Sequence, residues 1–159
     1  MRLCPDYNLK DIYEINLEEL KSKGIKLIMF DLDSTLMVSK SGKYLPETVE
    51  WLERVKHDFK IVVLSNNTKN EYLDKVRGIS DFDVLGSSAK PDTKVALDYI
   101  NKIGVDVKDC VIVGDRPLTD ILCGKRLGCM TILVGSINAE NEGIPTRFVR
   151  WLERLTIKK

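Results

Sequence analysis

The sequence contains very little of what most transition-metal and redox centres need. Its only histidine is His57, which lies near the end of a predicted helix, and we assign no chemistry to it. None of its four cysteines has the Cys-x2-Cys spacing of a zinc or iron–sulfur site. We therefore expect reduced, mostly buried thiols in a cytoplasmic protein. They are Cys4, Cys110, Cys123 and Cys129.

Long apolar runs and an excess of one charge are also missing. No stretch has the roughly 20 consecutive apolar residues of a transmembrane helix, and residues 1–6 lack the apolar core of a signal peptide. A net charge of +1 gives no general attraction for nucleic acid, so we expect no nucleic-acid partner. With 159 residues, 43% of them hydrophobic, the chain predicts a single domain over residues 1–159.

The most informative segment is an apolar strand that ends in two acids. Residues 26–30 are followed by Asp31 and Asp33, and then by Ser34 and Thr35. This pattern predicts a central parallel strand, and open α/β sheets bind ligands at the carboxyl ends of their strands. A carboxylate there can bind a hard cation such as Mg²⁺ or attack phosphorus as a nucleophile. On its own, an Asp-x-Asp pair is more often a turn or a helix cap.

Two further segments place polar groups behind predicted strands or before predicted helices. Residues 61–64 form an apolar run that ends in Ser65 and Asn66, just before a predicted helix. A helix N-terminus with such donors suits an anion, although an ordinary cap explains the same residues. Lys90 precedes another predicted helix. It can neutralise a phosphoryl oxygen and a carboxylate together, or it can be a solvated surface lysine.

The fourth segment brings a second pair of acids. Residues 110–113 are an apolar run, Gly114 and Asp115 follow it, and Asp120 comes at the start of a predicted helix. Asp120 could simply cap that helix. Asp115 would face Asp31 across the edge of the sheet, where two like charges raise a pKa or require a cation.

Strands and helices alternate along the predicted chain. Strands are expected near residues 26–30, 60–64, 83–85, 110–113 and 130–134, and helices near 47–56, 69–77, 93–103, 119–127 and 146–156. Alternation of this kind predicts an α/β, Rossmann-like, doubly wound parallel sheet of about five strands in three layers.

Taken together and in this order, the four segments resemble the motifs of the haloacid dehalogenase (HAD) superfamily of phosphotransferases. The flanking segments 3–7, 12–15, 24–26 and 146–154 are similar to the YqeG-like branch of subfamily IIIA. That branch is related to mitochondrial phosphatidylglycerophosphate phosphatases. The resemblance implies an HAD-like fold in which the strands that precede Asp31 and Asp115 are neighbours. Many members of the superfamily enclose small substrates under a cap domain, but the connections after the first and second segments of this chain are too short for one. A site without a cap domain is open to solvent and suits a phosphate that is attached to a large molecule.

The resemblance also implies a role for each acid. Asp31 would be the nucleophile that forms an aspartyl-phosphate, and Asp33 would protonate the leaving oxygen and later deprotonate water. Mg²⁺ would be the cofactor. Its implied ligands are the carboxylate of Asp31, the backbone carbonyl of Asp33, and Asp115, with Asp120 in support.

Four polar residues would bind the substrate or orient the loop beside it. By resemblance, Ser65, Asn66 and Lys90 would bind the phosphoryl oxygens, and Thr35 would orient the first loop. The implied activity is Mg²⁺-dependent phosphomonoester hydrolysis, with phosphatidylglycerophosphate as the candidate substrate. The alternatives are a phosphatase for a soluble sugar phosphate or nucleotide, and a non-catalytic phosphate-binding module.

The C-terminal segment bears on the membrane question. Residues 146–156 predict a basic amphipathic helix that carries Trp151. Such a helix can rest on anionic lipid, which would give peripheral membrane contact, or its apolar face can cover the sheet. Packing on the sheet is favoured because one helix per strand is the default architecture. The sequence leaves the oligomeric state open.

Overall fold

The protein is built on an open sheet of six parallel strands in the structure, a computed structural model that describes residues 3–137. The strands are β1 (Tyr7–Leu9), β2 (Leu27–Phe30), β3 (Lys60–Leu64), β4 (Asp83–Leu85), β5 (Cys110–Gly114) and β6 (Met130–Val134). They lie in the order β1-β6-β5-β2-β3-β4, and every adjacent pair is parallel. The predicted α/β, Rossmann-like parallel sheet is therefore confirmed.

The helices connect successive strands. They are α1 (Leu17–Ser22), α2 (Pro46–Asp58), α3 (Asn70–Gly78), α4 (Lys94–Ile103) and α5 (Leu122–Leu127). A π-helical turn, Pro117–Ile121, leads into α5. None of the helices in residues 3–137 has the length and apolarity needed to cross a lipid bilayer. The helix predicted at 146–156 lies outside the described residues.

The sheet has one strand more than the sequence predicted. The edge strand β1 pairs with β6, with Tyr7 opposite Ile132. Just before β1, the carboxylate of Asp6 accepts a hydrogen bond of 2.8 Å from the backbone N–H of Thr131. Three residues are too short to show an alternating pattern, and these partners lie at the far end of the chain, so no local signal predicts this strand.

The core is divided between the two faces of the sheet. Successive side chains of β2 point to opposite faces, so that Ile28 and Phe30 pack with α1, α2 and α3. Leu27 and Met29 pack with α4 and α5 on the other face. All four side chains are fully buried. This arrangement confirms the predicted three layers and makes β2 the centre of the fold.

Helix ends follow capping chemistry that is visible in the sequence. The side chain of Asn16 accepts a hydrogen bond of 3.0 Å from the N–H of Glu19 and so begins α1. Pro46 occupies the first position of α2, where its missing N–H costs nothing. Gly104 ends α4 with φ = 74°, a conformation that glycine adopts at little cost.

The burial of the thiols predicts their reactivity. Cys110, Cys123 and Cys129 are buried, whereas Cys4 is exposed. Burial raises the pKa of Cys110 and Cys123 to about 11 and that of Cys129 to about 12, so these groups stay protonated and unreactive at neutral pH. In a titration with a chromogenic aromatic disulfide, we expect one thiol to react quickly in the native protein and four in denaturant. Rapid reaction of a second thiol in the native protein would contradict the packing described here.

Candidate active site

A cleft of about 260 Å³ opens at the carboxyl edge of the sheet. It lies beyond the end of β2, which has β3 as its neighbour on one side and β5 on the other. The chain continues from β2 to β3 and reaches β5 only later, and open α/β sheets commonly bind ligands at such a position. The register pairs Phe30 with Val113, which brings the residues that follow both strands to one place. The cleft is lined by residues that include Asp31, Asp33, Ser65, Asn66, Lys90 and Arg116.

Three carboxylates meet beside this cleft. Asp31, Asp115 and Asp120 each offer an oxygen, and these oxygens all lie within 4.8 Å of one another. Asp115 is 1% exposed and Asp120 is fully buried. Burial and the neighbouring charge of Asp31 raise the pKa of Asp120 to about 6. Acids this close and this deeply buried require cations nearby.

Lys90 supplies one of those positive charges. Its Nζ lies 2.8 Å from Oδ1 of Asp31 and 2.8 Å from Oδ1 of Asp120. Burial alone would lower the pKa of Lys90, but the charges of the two carboxylates more than offset this effect and raise it. With all three acids ionised, one lysine leaves a net charge of two negative units in the cluster, which matches a divalent cation.

The cluster is held by close contacts from the ends of β2 and β5. The Thr35 hydroxyl lies 3.0 Å from Oδ1 of Asp115 and 3.4 Å from Oδ2 of Asp31. The backbone N–H of Arg116 donates a hydrogen bond of 3.1 Å to Oδ2 of Asp120. A Cβ atom at Gly114 would lie only 2.2 Å from the Asp120 carboxyl group, so this approach needs glycine. The sequence did not predict that requirement, although a glycine ending a buried strand is a signal for close approach.

Asn66 makes a contact that sequence reasoning missed. Its Oδ1 accepts a hydrogen bond of 2.7 Å from the backbone N–H of Lys90, and its Nδ2 donates one of 2.9 Å to the backbone carbonyl of Lys90. The amide therefore fixes the segment that presents the lysine. Ser65 is 2% exposed, and its hydroxyl accepts a hydrogen bond from the N–H of Asn67. Phosphate binding by Ser65 and Asn66 stays a prediction.

The carboxylate of Asp33 lies outside the group of three acids. Its Oδ1 accepts a hydrogen bond of 2.8 Å from the backbone N–H of Lys40 and one of 2.6 Å from the hydroxyl of Tyr72. Burial and the adjacent carboxylate raise the pKa of Tyr72, so its hydroxyl remains a donor. Sequence reasoning did not find Tyr72. A metal contact of Asp33 was expected through its backbone carbonyl and stays a prediction.

A larger depression, of about 550 Å³, lies at the opposite end of the sheet, where β1 and β6 begin. Lys23 and Lys125 line it, and both are engaged with nearby groups. Lys23 donates a hydrogen bond to Tyr7 and pairs with Glu19, while Lys125 lies 3.8 Å from a carboxylate oxygen of Asp6. The smaller cleft is the better candidate site, because it combines buried acids with a buried lysine.

Comparison with known sequences agrees with this geometry. The family model described as mitochondrial PGP phosphatase matches residues 1–137. The probable phosphatase YqeG of Bacillus subtilis (strain 168) is 35% identical over 154 residues, which cover 94% of this chain and 87% of that protein. Phosphatidylglycerophosphate phosphatase 1 of Arabidopsis thaliana, chloroplastic/mitochondrial, is 32% identical over 171 residues. That alignment covers 99% of this chain but only 48% of the Arabidopsis protein.

Comparison with solved structures supports the fold. A 2-haloacid dehalogenase from Pseudomonas syringae superposes with a TM-score of 0.61 and 17% sequence identity, over 80% of this chain and 99% of that one. A HAD phosphatase from Thermococcus onnurineus gives a TM-score of 0.56 with 15% identity, over 82% of this chain and 97% of that one. At these identities the likeness concerns the arrangement of the sheet and helices.

Proposed function

Because this chain belongs to the mitochondrial PGP phosphatase family of HAD-like phosphatases, we propose that it hydrolyses phosphomonoesters through an aspartyl-phosphate and depends on Mg²⁺. Membership of this family establishes that the chain is a phosphatase. The observation that supports the finer proposal is the meeting of three carboxylates and Lys90 at the edge of the cleft.

The donor set fits magnesium. The group of three offers carboxylate oxygens, which are the hard ligands that Mg²⁺ prefers. Asp31, Asp115 and Asp120 would hold the ion, and the backbone carbonyl of Asp33 would be a further ligand. The bound ion would offset the negative charges that an anionic nucleophile and a phosphate bring together.

The side chains then divide the work over two displacements. A carboxylate oxygen of Asp31 attacks phosphorus, the bond from phosphorus to the leaving oxygen breaks, and Asp33 donates a proton to that oxygen. In the second displacement, Asp33 takes a proton from water as the water attacks the aspartyl-phosphate. Inorganic phosphate leaves and the Asp31 carboxylate is regenerated. The Lys90 ammonium would pair with a phosphoryl oxygen in both steps, and its contact with the Asp31 carboxylate supports this role.

Two observations support a phospholipid head group as the substrate. Relatives of this chain in Arabidopsis and in Chlamydomonas reinhardtii are phosphatidylglycerophosphate phosphatases. In addition, the cleft at the carboxyl ends of the strands holds only about 260 Å³. It has room for a phosphoryl group and the atoms next to it, so the rest of a lipid would remain outside.

A substrate comparison tests this proposal. With Mg²⁺, we expect kcat/KM for phosphatidylglycerophosphate in detergent micelles to be at least about tenfold higher than for glycerol 3-phosphate, because contacts beyond the phosphate contribute to transition-state binding. A nucleoside monophosphate should be as poor as glycerol 3-phosphate. EDTA should stop all release of phosphate, and added Mg²⁺ should restore it.

Each other outcome identifies an alternative. Equal turnover of the lipid and the soluble esters would remove the lipid as the preferred substrate. Binding of inorganic phosphate without turnover of any ester would identify a non-catalytic module. Full activity in EDTA would exclude the dependence on Mg²⁺.

A further inference from the structure

The two hydrogen bonds of the Asp33 side chain end on the same oxygen. The backbone N–H of Lys40 and the hydroxyl of Tyr72 both donate to Oδ1, at 2.8 Å and 2.6 Å. A carboxyl oxygen has two lone-pair positions, so these donors occupy the acceptor capacity of Oδ1. A proton on this carboxyl group must therefore reside on Oδ2.

The donors come from two separate parts of the fold. Lys40 belongs to the loop that returns on Asp33 through a β-bridge between Asp33 and Met37. Tyr72 lies on α3, where it is partly buried and packs against the core cluster that contains Phe30 and Met37. At 2.6 Å, its hydroxyl makes a bond of the length typical of O–H donors to a carboxylate, whereas its distance to the sulfur of Met37 is 3.5 Å.

Tyr72 is not among the residues that line the cleft. Its hydroxyl is engaged with Asp33, which does line the cleft. The direct route from the Tyr72 hydroxyl to the reacting atoms therefore runs through Asp33.

We propose that Tyr72 is a positioning residue for leaving-group protonation, which fixes the Asp33 carboxyl group so that Oδ2 carries the proton into the cleft. The proposal rests on the function proposed above, in which Asp33 is the proton donor. In the first displacement the Oδ2–H bond breaks and the proton passes to the leaving oxygen as its bond to phosphorus breaks. The released Oδ2 then accepts a proton from the attacking water, so the group returns to its starting state.

The test is a series of aryl phosphates with Tyr72→Phe, which removes only the hydroxyl. Phenolate is a poor leaving group and needs a proton, whereas 2,4-dinitrophenolate leaves without one. We expect kcat/KM to fall about tenfold for phenyl phosphate and to change by less than about twofold for 2,4-dinitrophenyl phosphate. The ratio kcat/KM is the right measure because it reports the steps up to departure of the phenol.

Two matched variants separate positioning from simple damage. Tyr99→Phe makes the same chemical change on α4, where the hydroxyl donates to Asp83 at the opposite edge of the sheet, and should leave both substrates unaffected. In a protein that already carries Asp33→Ala, adding Tyr72→Phe should have no further effect on phenyl phosphate. If Tyr72→Phe folds poorly, this double variant compared with Asp33→Ala alone at equal folded fractions still measures the coupling.

Three results would overturn the proposal. An equal loss on both substrates would show a general structural effect, and no loss on either would show that the hydroxyl is dispensable. A full additional loss in the Asp33→Ala background would show that Tyr72 does not act through Asp33. If Asp33→Ala lowered kcat/KM equally for phenyl phosphate and 2,4-dinitrophenyl phosphate, the function assigned to Asp33 would fail instead.

Discussion

Replacing Asp31 with asparagine should lower the turnover of every phosphomonoester by at least about a thousandfold. The amide has the shape of the carboxylate but is a very weak nucleophile, so no aspartyl-phosphate forms. The change also removes one negative charge from the group of three, so the ammonium of Lys90 loses one of its two charged partners. Release of inorganic phosphate under saturating Mg²⁺ measures the effect.

A second measurement addresses the intermediate itself. Mass spectrometry after rapid acid quenching should detect a protein-bound phosphoryl group in the wild type and none in Asp31→Asn. Asp98→Asn is the matched control, because this carboxylate pairs with Lys94 on the outside of α4 and is 64% exposed. It should retain full turnover. Unchanged activity in Asp31→Asn, or a phosphoryl group attached elsewhere, would show that another residue is the nucleophile.

The meeting of Asp31 and Asp115 at one end of the sheet could be predicted, because the strands of a parallel sheet all end on the same side. Buried apolar runs identify β2 and β5, and parallel strands present their carboxyl ends at one edge. The resemblance to a known family supplied the neighbour relation, and the register of Phe30 with Val113 shows it. Strand β1 had no comparable signal, because an edge strand of three residues is defined only by its distant partner.

The contacts that position Asp33 and Lys90 could not be predicted. Tyr72 and Asn66 look like ordinary members of a helix and a turn, and their roles depend on which side chains the fold brings opposite them. The burial of Lys90 between two acids was also not visible in the sequence. Its sequence context fits a surface lysine, yet the structure leaves it 5% exposed between two acids. A pattern along the chain reports local structure and burial, but pairing of buried charges is a property of the tertiary fold.

Lys90→Met should therefore have a large effect on stability as well as on activity. Methionine has a similar length but no charge, so Asp31 and Asp120 would lose the cation that lies 2.8 Å from each of them. Removing one partner of a buried ion pair typically costs about 3–5 kcal/mol, because the remaining charge is uncompensated. We expect a loss of that size in the free energy of unfolding without Mg²⁺, and a fall in turnover of about a hundredfold or more.

The dependence of this loss on Mg²⁺ distinguishes its cause. A divalent ion bound by the three carboxylates would supply the missing positive charge, so Mg²⁺ should raise the stability of Lys90→Met more than that of the wild type. Lys94→Met is the matched control, since its ion pair with Asp98 is exposed and should contribute less than about 1 kcal/mol. Denaturant unfolding of all three proteins, with Mg²⁺ and with EDTA, gives the comparison. Equal loss of stability in both conditions would mean that the ion does not share the carboxylates with Lys90, and the electrostatic account of the site would be wrong.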